Sequence, residues 1–522
     1  MAAVMGRNHL VVLCMAAAAL MASLSAAAGE AAAAAPVQEL RRGFSAAHDP
    51  SYSQFQPVLA DPTGAFALGF LRVNSTMLDL AVLHLPSSFP LWRAMPDRPT
   101  PLSAAASLSF DGGLVLTDRA ANKVLWSTAA ASAAAAGDRA VLLNTSNLQI
   151  QITSGSGSSP SVVWQSFDYP SETIVQGQNF TSEAVLYTFD RRFAMRLGSN
   201  DFALYIEPPP STSGGIAAAM YWKHTALEAK AQIVAGGGPT YARVEPDGFL
   251  GMYQKEGPPA DVLSFDTFNR GVRALRRMTL EPDANLRAYY WDGARWVLDY
   301  TAITEPCELP TTCGAYSVCA QPSGRCACLA NATDGSDCAA AIPASVGGGL
   351  CGTTGGEVGG LYWAVRKQRV EPVNKELLGF ERAASVTDCE ARCERNCSCW
   401  GAVYSNGTGY CYLMDYPAQL LVEGDERKIG YFKVRSLAEE AARGRGGGRV
   451  NAAKVALIAV GIATVVAAAV FGAYRVWDMR RRTAADARWW WQLGAADDGL
   501  SPGPYKNLGS FSSVELTNSF RR

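Results

Sequence analysis

The chain has 522 residues, 48% of them hydrophobic, which is enough apolar surface for several packed domains and excludes a disordered polymer. A formal net charge of -1 argues against nucleic acid or another polyanion as the main partner. The four histidines, His9, His48, His84 and His224, stand at no metal-ligand spacing, so no metal site, no cofactor and no catalytic residue is expected.

Arg7 precedes an apolar run over 10–24 that ends in Ser25-Ala26-Ala27-Ala28, the layout of a cleavable signal peptide over residues 1–28. From Phe44 to about Thr301 there is no cysteine, and short apolar stretches alternate with Gly, Pro, Asp, Asn and Ser turns, a mainly β pattern. One unit recurs, a polar turn followed by an alternating strand. It appears at Asp111-Gly112-Gly113-Leu114-Val115-Leu116, Ser146-Asn147-Leu148-Gln149-Ile150, Asp247-Gly248-Phe249-Leu250 and Asp283-Ala284-Asn285-Leu286. Period-2 alternation puts Leu114 and Leu116 on one face. The first two copies lie about 35 residues apart, as do the last two, which suggests repeated hairpin-like modules on a shared core. Hairpins of an ordinary β-sandwich would give the same local pattern.

Every cysteine but Cys14 lies between Cys307 and Cys411, a clustered set that reads as disulfides in an exported chain. The first group, Cys307, Cys313, Cys319, Cys326, Cys328 and Cys338, is so dense that bridges rather than a core must hold the fold. Spacing alone leaves their connectivity open, and a zinc site is the competing reading of Cys326-x-Cys328. The second group is Cys351, Cys389, Cys393, Cys397, Cys399 and Cys411. Cys389 and Cys393, at i and i+4, share a helix face from which each can reach a neighbouring strand. Asn74, Asn144, Asn179, Asn331, Asn396 and Asn406 each begin an N-x-S/T glycosylation acceptor, and none follows the second apolar run.

That run, 455–474, carries no charge and is followed by Arg475, Arg480, Arg481 and Arg482; at about 20 residues it spans a ~30 Å hydrocarbon core. A charged, glycine-rich linker over 436–454 precedes it, and 475–522 follows as a cytoplasmic tail. The tail is shorter than the roughly 100 to 250 residues of a catalytic domain and has no kinase motif. The expected location is the plasma membrane, single-pass type I, with the N-terminus outside.

Several strings resemble a known family, the bulb-type mannose-binding lectins and S-locus glycoprotein-like ectodomains of plants. They are Phe66-Ala67-Leu68-Gly69-Phe70, Trp92-Arg93-Ala94 with Asp97-Arg98-Pro99, and above all Val163-Trp164-Gln165-Ser166-Phe167-Asp168-Tyr169-Pro170. The resemblance implies tandem β-prism (bulb-type) lectin domains, over 44–190 and, as a diverged S-locus-like copy, 191–302. The cysteine spacings resemble an EGF-like module, 303–340, and a PAN/apple module, 351–435. By that resemblance Cys307 pairs with Cys319, Cys313 with Cys326 and Cys328 with Cys338. In the second group it implies Cys389 with Cys411, Cys393 with Cys399 and Cys351 with Cys397.

The mannose motif of bulb-type lectins is Q-x-D-x-N-x-V-x-Y, and the best alignment here runs Ser109, Asp111, Gly113, Val115, Thr117. Only Asp111 and Val115 of the carbohydrate-binding set are kept, so scaffolding or protein recognition is favoured over mannose binding at this copy. The function expected is therefore a non-enzymatic cell-surface receptor-like glycoprotein that recognises an extracellular glycan or protein ligand, as a co-receptor or decoy without its own kinase. Its partners would be receptor kinases or a second copy, met through the EGF-like and PAN modules. The alternative is a membrane-tethered adhesive or structural glycoprotein of the cell wall.

Overall fold

The structure is a computed structural model that describes residues 35–128, 136–153, 159–208, 217–225, 241–254, 257–314, 316–329, 363–415 and 420–434, with 471–472 and 474–475 beyond them. The segment 1–28, the linker 436–454, and all but a few residues of 455–474 and the tail lie outside these ranges, as do Asn331, Cys338 and Cys351. Among the described residues no helix is long and apolar enough to cross a membrane. Every described strand falls in the first of two compact units, which ends at Ser436.

The cysteine-free region forms two sets of antiparallel sheets. In the first set, Glu39–Arg41 pairs beside Arg139–Leu142, Leu148–Ile152 and Ser161–Gln165, and Phe44–Ala47 beside Ala106–Phe110, Leu114–Asp118 and Lys123–Ser127. A third sheet runs Phe55–Ala60, Phe66–Arg72, Met77–His84, Phe89–Arg93, with Thr100–Pro101 added against Met77–His84. Each sheet turns one face inward. Leu108, Phe110, Leu114 and Leu116 are fully buried with Leu80, Leu142 and Ile150 in one core, while Ser109, Val115 and Thr117 face out. Gly69 lies where no side chain fits, since a Cβ there would stand 2.1 Å from the backbone oxygen of Gln56.

The second set takes its first three strands from 173–187. Thr173–Val175 pairs with Arg276–Leu280, Asn179–Thr181 with Tyr241–Glu245, and Val185–Tyr187 with Phe193–Leu197. Glu39–Arg41, before residue 44, belongs to the first set. The outer edges are closed by strands remote in sequence, a long-range pairing that local pattern does not carry. Three sheets result again, here each four-stranded, around a second core of Phe180, Phe193, Phe202, Leu250 and Met278. Inside it Arg276, whose side chain is 1% exposed, pairs with fully buried Asp299.

The two sets are locked together. The Arg277 guanidinium lies 3.7 Å from the ring centroid of Phe89 in the first set, and 4.0 and 4.9 Å from those of Tyr289 and Trp296 in the second. Trp296 Nε1 donates to Ser87 Oγ at 2.9 Å, and the His84 ring meets Trp291 edge-on at 4.9 Å.

In the disulfide-rich region the segments that carry the two cysteine groups share a sheet. The hairpin Ser317–Ala320/Arg325–Cys328 joins Leu421–Glu423, which pairs in turn with Val370–Pro372. A five-stranded sheet, Trp363–Gln368, Lys428–Val434, Cys399–Ser405, Tyr410–Asp415 and Glu381–Arg382, carries the helix Val386–Arg395. Ser385 caps that helix by accepting from the Asp388 N–H, and Cys389 and Cys393 are buried on its inner face. Cys389 bonds to Cys411 and Cys393 to Cys399; in the hairpin region Cys307 bonds to Cys319 and Cys313 to Cys326. Cys328 and Cys397 are disulfide-bonded as well.

Candidate functional site

Asp111 sits exposed in the turn between Ala106–Phe110 and Leu114–Asp118, and Val115 lies half-buried on the outer face beside Ser109 and Ser127. The hydroxyls around them are folded onto backbone carbonyls. Ser109 Oγ donates to Val115 O at 3.4 Å, Thr117 Oγ1 to Ser107 O at 3.4 Å, and Ser107 Oγ to Ala46 O at 3.3 Å. Asp111 is thus the one carboxylate near a surface of short side chains, without the amides that would complete a sugar-binding set.

A richer polar face, not anticipated from the sequence, lies on the sheet containing Leu148–Ile152. Arg139 Nε donates to Gln151 (3.1 Å), Gln151 to Gln149 (2.8 Å), Gln149 to Gln165 (3.1 Å) and Gln165 to Asp168 (2.9 Å), while Asn147 also donates to Gln165 (2.8 Å). Charge runs down this relay from guanidinium to carboxylate, and each amide already has partners, so a ligand here must displace internal hydrogen bonds. The alternation Gln149-x-Gln151 was the available signal.

The third surface is a cleft of about 340 Å³ where the two sheet sets meet. Its floor holds three tryptophans, one from the last main strand of each first-set sheet. Trp92, Trp126 and Trp164 stand edge to face with centroids 5.8, 6.0 and 6.2 Å apart. Tyr169, 59% exposed, stacks on Trp164 at 5.7 Å and accepts a hydrogen bond from Trp92 Nε1 at its carbonyl, 2.8 Å away. Val163 to Gln178 is therefore a structural connector. It crosses from the first set to the second and is held by Gln178 Nε2 donating to Phe167 O at 2.8 Å.

The cleft wall is charged. Arg93 Nε donates to Asp79 Oδ2 at 2.9 Å, and its Nη1 lies 3.8 Å from Glu172. Asp79 is fully buried and also accepts from the Leu80 and Met95 N–H groups, yet burial pushes its carboxyl up to about 6 against the opposing pull of Arg93. From the second set a tight turn at Thr188 presents Arg191, which donates to Asp97 at 3.1 Å and lies 4.3 Å from the Tyr187 ring centroid. Arg93 and Ser171 are among the residues lining this cleft; their Nη2 and Oγ atoms are closed off from solvent and have no hydrogen-bond partner among the described residues. The recurrence of Trp92-Arg93, Trp126-Ser127 and Trp164-Gln165 at strand ends was the sequence signal for the floor; nothing local marked the wall.

Of the glycosylation acceptors, Asn74, Asn144, Asn179 and Asn406 are exposed, and Asn396 is half-buried with Nδ2 directed at Asp415, 3.4 Å away. Among the described residues no group of three or more His, Cys, Asp or Glu is arranged to hold a metal.

Comparison with known proteins finds a D-mannose binding lectin model over residues 91–192, an S-locus glycoprotein domain over 259–332 and a PAN domain over 373–433. A PAN domain-containing protein of Arabidopsis thaliana is 42% identical, with 92% of this chain and 93% of that protein covered. Two G-type lectin S-receptor-like serine/threonine-protein kinases of Arabidopsis thaliana are 23% and 24% identical, covering 88% and 67% of this chain. The chain spans about half the length of these kinases, 57% and 43%.

Proposed function

Since this chain, with its lectin, S-locus glycoprotein and PAN domains, belongs to the family of the PAN domain-containing protein of Arabidopsis thaliana, we propose that it is a non-enzymatic cell-surface recognition glycoprotein. In this reading the sheet sets over 39–165 and 173–301 are two β-prisms. The signal segment 1–28 is removed, residues 455–474 anchor the chain, and Asn74, Asn144, Asn179, Asn331, Asn396 and Asn406 are glycosylated. The remaining cysteines pair as Cys328 with Cys338 and Cys351 with Cys397. The ligand is an extracellular glycan or protein. The signal passes through a partner, and the receptor kinases that the chain resembles supply the chemical class of that partner.

The observation that supports this most directly is the cleft at the seam of the sheet sets. It combines an aromatic floor, the exposed Tyr169 ring and a charged wall in one concave surface, whereas the Asp111 face and the glutamine relay have satisfied their own donors. The test is the full chain, purified in detergent from a secretory host, on a glycan array and on a panel of receptor-kinase ectodomains. Binding on either panel that survives Asp111→Ala is the expected result. Absence of binding on both removes the recognition reading.

A further inference from the structure

We infer that the tryptophan-floored cleft is a docking site for a proline-rich segment of an extracellular protein, bound in the polyproline II conformation with an acidic residue beside the prolines. The inference rests on the recognition reading above and goes further by naming the ligand's chemistry. What the cleft offers a ligand is aromatic surface with very few free polar groups. One face of the Tyr169 ring is taken by Trp164, yet the residue remains 59% exposed, and Tyr187 adds a second tyrosine from the other sheet set. The polar atoms of the wall are engaged inside the protein. Arg93 Nε donates to Asp79, Trp92 Nε1 to the Tyr169 carbonyl and Arg191 to Asp97, while Arg93 Nη2 and Ser171 Oγ are closed off from solvent. The exception is the pair of indole N–H groups on Trp126 and Trp164. They have no hydrogen-bond partner among the described residues and are not closed off as those two atoms are.

A ligand for such a surface must lay apolar groups on aromatic rings, accept hydrogen bonds, and bring few donors of its own, because an enclosed donor without a partner is destabilising. A polyproline II segment meets all three conditions. Its proline rings pack on aromatic faces, proline has no backbone N–H, and the conformation leaves every carbonyl free of internal hydrogen bonds. Its backbone is also ordered before binding, which lowers the entropy cost of docking on an open cleft. A sugar ring is the poorer match, since each of its hydroxyls brings a donor. Charge at the rim selects the flanking residue. Asp97 is shared by Arg191 at 3.1 Å and Arg98 at 3.5 Å, both exposed, so two guanidiniums stand beside one carboxylate and leave a surplus positive charge. An acidic residue next to the prolines is attracted there and a basic one is repelled.

The test is titration of the full detergent-purified chain with synthetic peptides of equal length, read by tryptophan fluorescence and calorimetry: a proline run flanked by glutamates, a proline run flanked by lysines, and a glycine-serine control. The glutamate-flanked peptide should bind, the lysine-flanked one about tenfold more weakly, and the control not at all. Tyr169→Ala should weaken the first about tenfold while Tyr169→Phe keeps it, and Arg191→Gln should narrow the difference between the two flanks. Circular dichroism melts should match the parent for all these variants, because Tyr169 holds Trp92 through its backbone and Arg191 is exposed. Should Tyr169→Ala melt early, Arg191→Gln decides alone. The inference is overturned if the proline peptides bind no better than the control, if the lysine flank is preferred, or if folded Tyr169→Ala binds as the parent does. It is equally overturned if mannotriose binding, or self-association in sedimentation, is what Tyr169→Ala removes. Any of these together with binding on the glycan or receptor panel would sink the peptide site and leave the recognition reading standing, whereas silence on the peptides and on both panels would remove both.

Discussion

Asp299→Asn should destabilise the second sheet set by about 3–5 kcal/mol, because it leaves the Arg276 guanidinium buried without its counter-charge. Arg276 and Asp299 have side-chain exposures of 1% and 0%. Asp299 also accepts from the Thr267 N–H at 2.9 Å and the Thr267 hydroxyl at 2.7 Å. Arg276 donates in addition to Pro246 O at 3.0 Å, Thr267 Oγ1 at 2.9 Å and Val272 O at 3.1 Å, so one ion pair ties the strands Arg276–Leu280 and Trp296–Thr301 to the loops of a second sheet. Asparagine keeps the shape but presents an NH₂ where the site has only donors. The measurement is urea unfolding of the full chain followed by circular dichroism, with a thermal midpoint expected to fall on the order of 10 °C. The double variant Arg276→Met, Asp299→Leu removes both charges and should recover only part of the loss, because the Thr267 N–H, Pro246 O and Val272 O lose their partners. A loss below about 1 kcal/mol in Asp299→Asn would falsify the claim that this pair is desolvated and uniquely matched.

Gly69→Ala should abolish secretion of folded chain, measured as yield against the parent, since an added Cβ would stand 2.1 Å from the Gln56 backbone oxygen of the paired strand; normal yield would contradict that close packing. Asp79 predicts a pH dependence of defined sign. Its folded pKa of about 6 lies above the ordinary 3.8, so the folded state holds the proton more tightly. Stability should fall by up to ~3 kcal/mol as pH rises from about 4 to about 6 and stay level above that window. Other carboxylates slope the opposite way, so the readout is the difference between parent and Asp79→Asn in urea midpoints across the window. Parallel profiles would refute the assignment.

What was legible in the sequence follows the range of the interactions. Leu114 and Leu116 were placed on one face by alternation alone, and they are buried together, because pleating dictates side-chain direction residue by residue. The helix carrying Cys389 and Cys393 was equally visible, since i, i+4 geometry is local. The passage from one sheet set to the other left no local mark. Thr173–Val175 looks like any short strand until its partner, a hundred residues on, is known. The pairing of Cys319 with Val422, which joins the hairpin to the strand Leu421–Glu423, likewise leaves no mark on the intervening chain.

By itself, then, the sequence determined the β class, the cysteine-stapled stretch from Cys307 to Cys411 and the degeneracy of the Asp111 motif, because each is written in residues adjacent in the chain. Only the tertiary structure decided which side chains meet in the cleft. Trp92, Trp126 and Trp164 meet because three sheets close on one core, and Arg191 reaches them because the second set is docked through Arg277 against Phe89. Such a site is a product of closure and docking, and unpaired donors like Arg93 Nη2 exist only once the surrounding water has been displaced by folding.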